Sequence, residues 1–225
     1  MSEVAGPASG PPHHLPEGDV AAAREIMDAF ARRTGVEGDR PPRRYLWTDA
    51  FAVCVDLGLH EATGEARHLE RALRLVDQVH RVLGRFRRDD FRSGWISGLS
   101  EKEGEAHPTA GGLRIGKPMP ERRPGEREDP KEEWDRDGQY FHYLTRWMHA
   151  LRRVAAASGQ TRYRTWAVEL ARAAFRGFYH DGTEGAGLFW KASTDLARPL
   201  VATQGHHDPL DGYVTLLALR AEVLA

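Results

Sequence analysis

The sequence predicts an all-α fold of tandem αα-hairpins, with a long loop between the first and second repeated hairpins. Three segments begin alike, because Asp49, Asp137 and Asp211 are each followed by a small residue and lead, with an aromatic residue nearby, into an apolar helix. After the first two of these helices, residues 62–68 match residues 157–163, and a glycine in each turn ends one helix before the next begins. The chain is therefore predicted to be an internal repeat of helical hairpins.

A tail and one helix precede the repeats. Pro and Gly are frequent in residues 1–18, which hold almost no large apolar side chains, so a disordered tail is expected. Its neighbouring His13 and His14 are expected to form no specific metal site. One face of residues 19–33 is apolar, which predicts a helix, and a double proline makes residues 35–44 a loop.

The first repeated hairpin combines two kinds of helix. Residues 48–59 are apolar nearly all round, whereas residues 65–85 are apolar on one side only. A helix that is apolar on every side is typical of a buried position, and a one-sided helix covers it from outside. The pattern therefore predicts an inner helix followed by an outer helix. The stripe of the outer helix consists of Leu69, Leu73, Val76, Val79 and Leu83.

The second hairpin repeats this contrast between residues 137–158 and residues 161–179. Asp137 is predicted to be the N-cap of the inner helix, because its carboxylate can accept backbone N–H groups of the first turn. A third inner helix is predicted at residues 210–224, where the sequence stops before a return helix. We expect either that this helix packs without a partner, or that further hairpins are missing or come from another subunit by self-association.

The loop insertion covers residues 87–133 and has no sustained hydrophobic period. A loop of this length inside a domain is usually either functional or disordered. Residues 95–117 contain a tryptophan, several glycines and, near their end, the cations Arg114 and Lys117, which predicts a folded lid or binding loop. Residues 121–133 are a run of charges and are expected to be solvated. The glycines match neither a phosphate-binding loop nor a dinucleotide fingerprint, so no cofactor is predicted.

Composition limits the class of protein. The 225 residues are 40% hydrophobic and 29% charged, which is enough for one domain over residues 19–225. A formal net charge of −1 gives no electrostatic argument for nucleic acid as a partner. The single Cys54 excludes an intramolecular disulfide and favours a cytoplasmic protein. No apolar run approaches the roughly 18 residues of a membrane span, so no membrane partner is expected.

The sequence resembles the (α/α) toroids of the six-hairpin glycosidase-like superfamily in three features. These are tandem hairpins with apolar inner helices, aspartates and aromatic residues where those helices begin, and a long glycine-rich connection that contains tryptophan. The resemblance is architectural and covers residues 45–225. It implies a barrel of inner helices inside a ring of outer ones, with a carbohydrate cleft where the long loops gather. Three inner helices are about half of a six-hairpin toroid, so a partial (α/α) toroid is expected.

Paired carboxylates at the starts of the inner helices are the first candidate chemistry. Glycoside hydrolysis needs two carboxyl groups on opposite sides of a bond, one protonated and one ionised. Asp49, Asp137 and Asp211 could meet at one end of a helix bundle, and Asp135 is a fourth candidate. In the alternative interpretation each aspartate only caps its helix, where the helix dipole lowers its pKa and disfavours a general acid.

Side chains suited to binding a sugar lie near the same helix starts and in the loop insertion. Aromatic rings offer stacking faces, and cations, amides and imidazoles can form hydrogen bonds to hydroxyl groups. A carbohydrate or another small polar molecule is therefore the expected substrate. The candidates for substrate binding are Trp47, Trp95, Arg114, Lys117, Trp134, Gln139, Tyr140 and His206.

Histidines offer a second mechanism. His142 falls near the start of the second inner helix, and His206 and His207 directly precede the third. Two imidazoles could act as acid and base in proton abstraction beside a sugar carbonyl, as in the sugar 2-epimerases, which this architecture also resembles. A metal site formed by His206, His207 and Asp208 is conceivable. Because adjacent residues rarely point at one ion, no metal is predicted.

A glycoside hydrolase-like enzyme is the preferred prediction, and a non-catalytic helical-repeat module that binds carbohydrate or protein is the alternative class. An enzyme predicts that Asp135 or Asp137, Asp49 and residues 206–211 surround one pocket, with at least one perturbed carboxyl group. A scaffold predicts that these groups are separated, each at its own helix.

Overall fold

The structure, a computed structural model, describes residues 16–182 and 185–224. These residues form eight helices and five short strands. In chain order, the elements are α1 (Glu17–Thr34), α2 (Leu46–Thr63), α3 (Ala66–Leu83), α4 (Glu101–Ala106), α5 (Pro130–Asp135), β1 (Gln139–Tyr140), α6 (Phe141–Ser158), α7 (Thr161–Phe178), β2 (Tyr179–Gly182), β3 (Gly185–Leu188), β4 (Lys191–Ala192), β5 (Pro199–Val201) and α8 (Asp208–Leu224).

Two αα-hairpins, α2–α3 and α6–α7, confirm the repeat predicted from the sequence. Gly64 and Gly159 follow α2 and α6 with φ angles of 71° and 68°, a left-handed conformation that glycine adopts without steric cost. The N–H of each glycine donates to a helix carbonyl, that of His60 in the first hairpin and that of Ala155 in the second. The same local signal therefore ends both inner helices.

The three helices that the sequence predicts as inner helices lie next to one another in the order α2, α6, α8. The outer helix α3 packs against α2, and α7 packs against α6. Gly212 allows α8 to approach α6 closely, since a Cβ atom at this position would lie 2.9 Å from Cζ of Phe141. The core formed by these helices contains the fully buried side chains of Leu75, Leu144, Trp147, Leu151 and Tyr163.

The chain is mostly helical, but the prediction of a purely helical fold was wrong. The strands form two small antiparallel sheets, one in the order β1-β4-β5 and the other a β2-β3 ribbon. Gly138, with φ 137°, makes the first sheet possible, because a Cβ atom there would lie 2.7 Å from the carbonyl oxygen of Ala192 in β4. Lys191 and Ala192 of β4 thus pair with Tyr140 and Gln139, which directly precede α6.

Helix α6 begins at Phe141 rather than at Asp137, and the prediction that Asp137 is its N-cap was wrong. Tyr140 occupies the N-cap position, and no side chain caps the helix there. Asp137 is fully buried and its Oδ1 accepts the backbone N–H of Gly116. The carboxylate therefore holds the loop insertion against the start of β1 instead of beginning a helix.

The loop insertion is folded over most of its length. Leu113 and Ile115 are fully buried, and the backbone of Ile115 bonds to Leu46 at the start of α2 and to Gly138 before β1. Residues 121–133 are largely exposed, as expected of a solvated charge run, and they also make specific contacts. Within this segment, Arg122 pairs with Glu133. Arg92 pairs with Glu121, and Arg136 pairs with Glu126 and Glu132.

The predicted tail lies outside the described residues as far as residue 15, as do His13 and His14. Helix α1 begins at Glu17, two residues before the predicted start. At the other end, α8 leaves an apolar face uncovered in the part of the chain that the structure describes. Its exposed side chains include Leu210, Tyr213, Val214, Leu216 and Leu217.

None of the helices within the described ranges is both long enough and apolar enough to cross a membrane.

Candidate functional site

The first turns of the three inner helices line one cleft of about 720 Å³. Trp47 comes from α2, His142 and Arg146 come from α6, and Asp208, Leu210 and Asp211 come from α8, while Trp190 and residues 203–207 close the remaining sides. We call this the aromatic cleft. Of the residues predicted for the site, it gathers Trp47, His142, His206, His207 and Asp211.

Aromatic rings form the walls of the aromatic cleft. The His142 ring is parallel to Trp190, with an interplanar angle of 8° and 6.3 Å between ring centroids. Trp47 meets the edge of the same imidazole with centroids 5.7 Å apart. Behind it, Tyr140 stacks on His142 at 5.4 Å and lies 5.0 Å from Trp190. These contacts fix the imidazole plane among the aromatic rings of the lining.

A second layer of aromatic residues supports the first. The hydroxyl groups of Tyr45 and Tyr143 are 2.6 Å apart, and burial followed by this hydrogen bond raises the pKa of Tyr143. Lys117 Nζ lies 4.8 Å from the ring centroid of Trp134 and 5.7 Å from that of Tyr45. Trp134 is 60% exposed and lies 6.4 Å from Trp190. Lys117 and Trp134 are therefore beside the aromatic cleft rather than in its lining.

His142 and Asp208 face each other in the cleft. The distance from His142 Nδ1 to Asp208 Oδ1 is 3.7 Å, which is too long for a hydrogen bond. Within the described residues, His142 Nδ1 and Asp208 Oδ2 are both buried without a hydrogen-bond partner. Gly205 leaves room for this carboxylate, because a Cβ atom at that position would lie 2.6 Å from Asp208 Oδ2. An imidazole and a carboxylate thus lie together with unused hydrogen-bonding capacity.

Arg146 and Asp211 form a second charged pair in the lining. Arg146 Nη2 donates to Asp211 Oδ2 at 2.8 Å, and Arg146 follows His142 by one helical turn on the same face of α6. His206 and His207 also line the cleft. No three His, Cys, Asp or Glu side chains of the described ranges are grouped as a metal site would require.

Asp49 and Asp137 do not line the aromatic cleft. Asp137 is ion-paired to Arg114, whose other nitrogens donate to the carbonyls of Val82 and Arg85. Arg114 is therefore used within the fold and is not exposed to a sugar in the aromatic cleft. These contacts hold the loop insertion against the end of α3.

Asp49 lies in the first turn of α2 and is also buried. Its Oδ2 accepts the backbone N–H of Tyr45 at 3.0 Å, so it does serve the helix start, and Arg44 Nη1 is 3.7 Å from Oδ1. Burial nevertheless raises the pKa of Asp49 to about 7, against the opposing effects of Arg44 and the Tyr45 N–H. The lowered pKa expected for a capping aspartate was therefore wrong at this position, because loss of hydration outweighs the favourable contacts.

Three more of the predicted residues lie away from the cleft lining. Gln139 is fully buried and bonds to the backbone of Leu113 and Thr194, and Trp95 is buried against Gly104. Asp135 is exposed at the end of α5. The first two are positioned to stabilise the loop insertion, and none of the three is a lining residue.

Sequence reasoning missed Trp190, Arg146 and the role of Asp208. Arg146 could have been found, since it lies four residues after His142 and therefore on the same helical face. Trp190 and Asp208 carry no such local signal, because they reach the cleft through sheet pairing and through the packing of α8. Lys191 was also missed: it is fully buried, its Nζ is 2.9 Å from Glu133 Oε1, and burial lowers its pKa.

Comparisons with protein-family models, with curated proteins and with solved structures find no match to this chain.

Proposed function

We propose that the protein is a carbohydrate-active enzyme that binds its substrate in the aromatic cleft and uses His142 as an acid–base group. The observation that supports this most directly is that His142 faces Asp208 in the cleft and also contacts the rings of Trp47 and Trp190. Imidazole is suited to proton transfer near neutral pH, and a neighbouring carboxylate can orient it and stabilise its charged form. The reaction class that fits best is proton transfer beside a sugar carbonyl, as in an epimerase or isomerase.

The lining suits a sugar in size and character. A volume of about 720 Å³ falls in the range of small-molecule sites, and the aromatic walls are interrupted by a few polar groups that could fix orientation. Arg146 and His206 could donate hydrogen bonds to hydroxyl or carbonyl oxygens of the ligand. Trp47 and Trp190 would offer their faces to the less polar side of the ring.

The architectural interpretation remains a partial (α/α) toroid. Its support is the neighbouring arrangement of α2, α6 and α8, with their first turns around one cleft. In a toroid this is where a carbohydrate would bind. We also keep the cytoplasm as the proposed location, on the basis of the single Cys54.

Glycoside hydrolysis is the second candidate, and the presence of two carboxylates in the lining favours it. Asp208 and Asp211 lie three residues apart on α8 and face the same cleft. Asp211 is ion-paired to Arg146, whereas the Asp208 carboxylate makes no described hydrogen bond, so their environments differ. Two carboxyl groups in different environments are the requirement for an acid and its partner.

One set of measurements separates these functions. A panel of mono- and oligosaccharides is first screened for an increase in melting temperature, because a ligand that binds only the native protein must stabilise it. Ligands that pass are incubated with the enzyme in D₂O and followed by NMR. Exchange of the proton next to the sugar carbonyl for deuterium supports the His142 mechanism, whereas new reducing ends without exchange support hydrolysis. Stabilisation without either reaction would support a binding module.

Two variants of α6 provide the control. His142→Gln is expected to abolish deuterium exchange while leaving the melting temperature near that of the wild type. His149→Gln, on an exposed position of the same helix, should leave exchange unchanged. Exchange at the wild-type rate in His142→Gln would exclude the proposed role of this residue.

A further inference from the structure

A second pocket, of about 450 Å³, is lined by five arginines and lies between the end of α3 and the loop before α2. The other lining residues are apolar, and no acidic side chain belongs to the lining. We call it the arginine pocket, and none of its residues belongs to the aromatic cleft. Its lining consists of Pro41, Pro42, Arg81, Val82, Arg85, Phe86, Arg87, Arg88 and Arg114.

The arginine pocket has an excess of positive charge. Three of its guanidinium groups are neutralised by carboxylates outside the lining: Arg85 pairs with Glu101, Arg87 with Asp89, and Arg114 with Asp137. The remaining two, Arg81 and Arg88, are exposed and make no hydrogen bond or ion pair with the rest of the described chain. Two positive charges are therefore available to a ligand.

The charge on Arg81 is only weakly compensated by its own helix. Asp77, one turn earlier on α3, is close enough for Arg81 to help lower its pKa, but burial dominates and raises the pKa of Asp77. Arg81 acts on the Asp77 carboxylate only through its charge, with no hydrogen bond between the two side chains. A ligand carrying negative oxygens would therefore face little competition for this guanidinium.

The base of the pocket is rigid. Arg114 is buried, its Nε donates to the carbonyl of Arg85 at 2.7 Å, and its Nη2 donates to that of Val82 at 2.7 Å. These bonds occupy carbonyl groups at the end of α3, whose partial negative charge would otherwise repel an anion. Arg87 is fixed in the same way by the carbonyls of Lys117 and Pro118. Two of the five arginines are thus already ordered in the fold, so that binding a ligand costs no further conformational entropy for them.

We propose that the arginine pocket binds a phosphate or sulfate group of a small anionic molecule. Guanidinium groups form paired, charge-assisted hydrogen bonds with tetrahedral oxyanions, and several arginines together are typical of such sites. A doubly charged group matches the two uncompensated guanidiniums. Pro41, Pro42 and Phe86 add apolar surface beside the guanidinium groups, against which the uncharged part of such a molecule could pack.

Isothermal titration of the full chain with inorganic pyrophosphate tests the proposal, at an ionic strength held constant with sodium chloride. Competition by inorganic phosphate, a sugar phosphate and a sulfated sugar then distinguishes the possible sources of the group. The double variant Arg81→Gln/Arg88→Gln removes two charges from exposed positions. It is expected to weaken binding by about tenfold to a hundredfold, because the variant loses charge-assisted hydrogen bonds to the anion.

Arg127→Gln is the matched control, because Arg127 is also exposed and has no hydrogen bond or ion pair among the described residues. It should bind pyrophosphate as the wild type does. Equal weakening of pyrophosphate binding in Arg127→Gln would show that the loss comes only from the lower positive charge of the protein, and it would overturn the proposal. The proposal would also be overturned if the double variant bound pyrophosphate with wild-type affinity, or if titration with sodium chloride alone gave the same heat as titration with pyrophosphate. An unchanged melting temperature of the double variant shows that it is folded.

Discussion

His142 Nδ1 lies 3.7 Å from Asp208 Oδ1, and these two side chains come from the first turns of different inner helices. The pair exists only because α8 packs beside α6. Catalytic hydrogen bonds are often long before a substrate binds, and a small movement of either side chain would close this one. The separation therefore fits an acid–base pair that is completed by its ligand.

Removing either member of this pair should lower activity toward a substrate found by the panel. His142→Gln and Asp208→Asn are each expected to reduce kcat/KM by about a hundredfold to ten-thousandfold, the range typical of a positioned acid–base group. The double variant should be little worse than the more impaired single variant, since groups that act as a unit are not additive. Strictly multiplicative losses would show that the two residues act independently.

Trp190→Ala should weaken ligand binding in the aromatic cleft by about tenfold, because one wall of the site is lost along with its contact to His142. Trp134→Ala is the control, since Trp134 is more than half exposed and does not line the cleft. Titration calorimetry on both variants checks the prediction. A larger loss in Trp134→Ala would place the ligand over Lys117 instead.

The parts of the fold that follow from short-range patterns could be predicted from the sequence. The stripe of α3 and the glycines at positions 64 and 159 depend on neighbours within one or two helical turns, so the repeat was recognisable. The pairing of β1 with β4 could not be predicted, because strands of two residues are too short to show an alternation of apolar and polar side chains. Their pairing depends on the close approach that Gly138 permits.

The candidate site was predictable only in part, for the same reason. Asp49, Asp137 and Asp211 each have the local sequence signal of a cap, but the environment of Asp137 is set by Arg114, which lies far away in the sequence. Asp208 shows the reverse case: its local position is ordinary, and only the packing of α8 brings it to His142.

Asp137→Asn should destabilise the protein by about 3–5 kcal/mol, because it leaves the buried Arg114 without its counter-ion. Urea unfolding measures the change. Asp211→Asn removes the partner of Arg146, which is 42% exposed in its side chain, and should cost less than about 1 kcal/mol. A stable Asp137→Asn variant that had lost activity would instead support the role in catalysis first predicted for this residue.

His80 should make the protein less stable in acid. Its Nε2 accepts the indole N–H of Trp147 at 3.0 Å, and complete burial lowers its pKa to about 3 from 6.5. The unfolded chain therefore binds more protons than the folded one between these values, so the stability contributed by neutral His80 is present above pH 6.5 and is lost as the pH falls. His80→Gln keeps an acceptor for Trp147 and should remove this dependence. Unfolding free energies measured between pH 4 and 7 would contradict the prediction if both proteins changed equally.

Asp49 should have the opposite effect on the pH dependence. Burial raises its pKa from 3.8 to about 7, so the folded chain holds a proton that the unfolded chain releases in this interval. Its contribution to stability is therefore complete below pH 3.8 and is lost as the pH rises to about 7, a change of up to about 4 kcal/mol. Asp49→Asn retains an oxygen that can accept the Tyr45 N–H but cannot ionise. The difference in unfolding free energy between wild type and Asp49→Asn should fall steadily over this interval and become constant above it, the reverse of the trend for His80→Gln. A difference that rises with pH would mean that Arg44 holds the carboxylate ionised despite its burial.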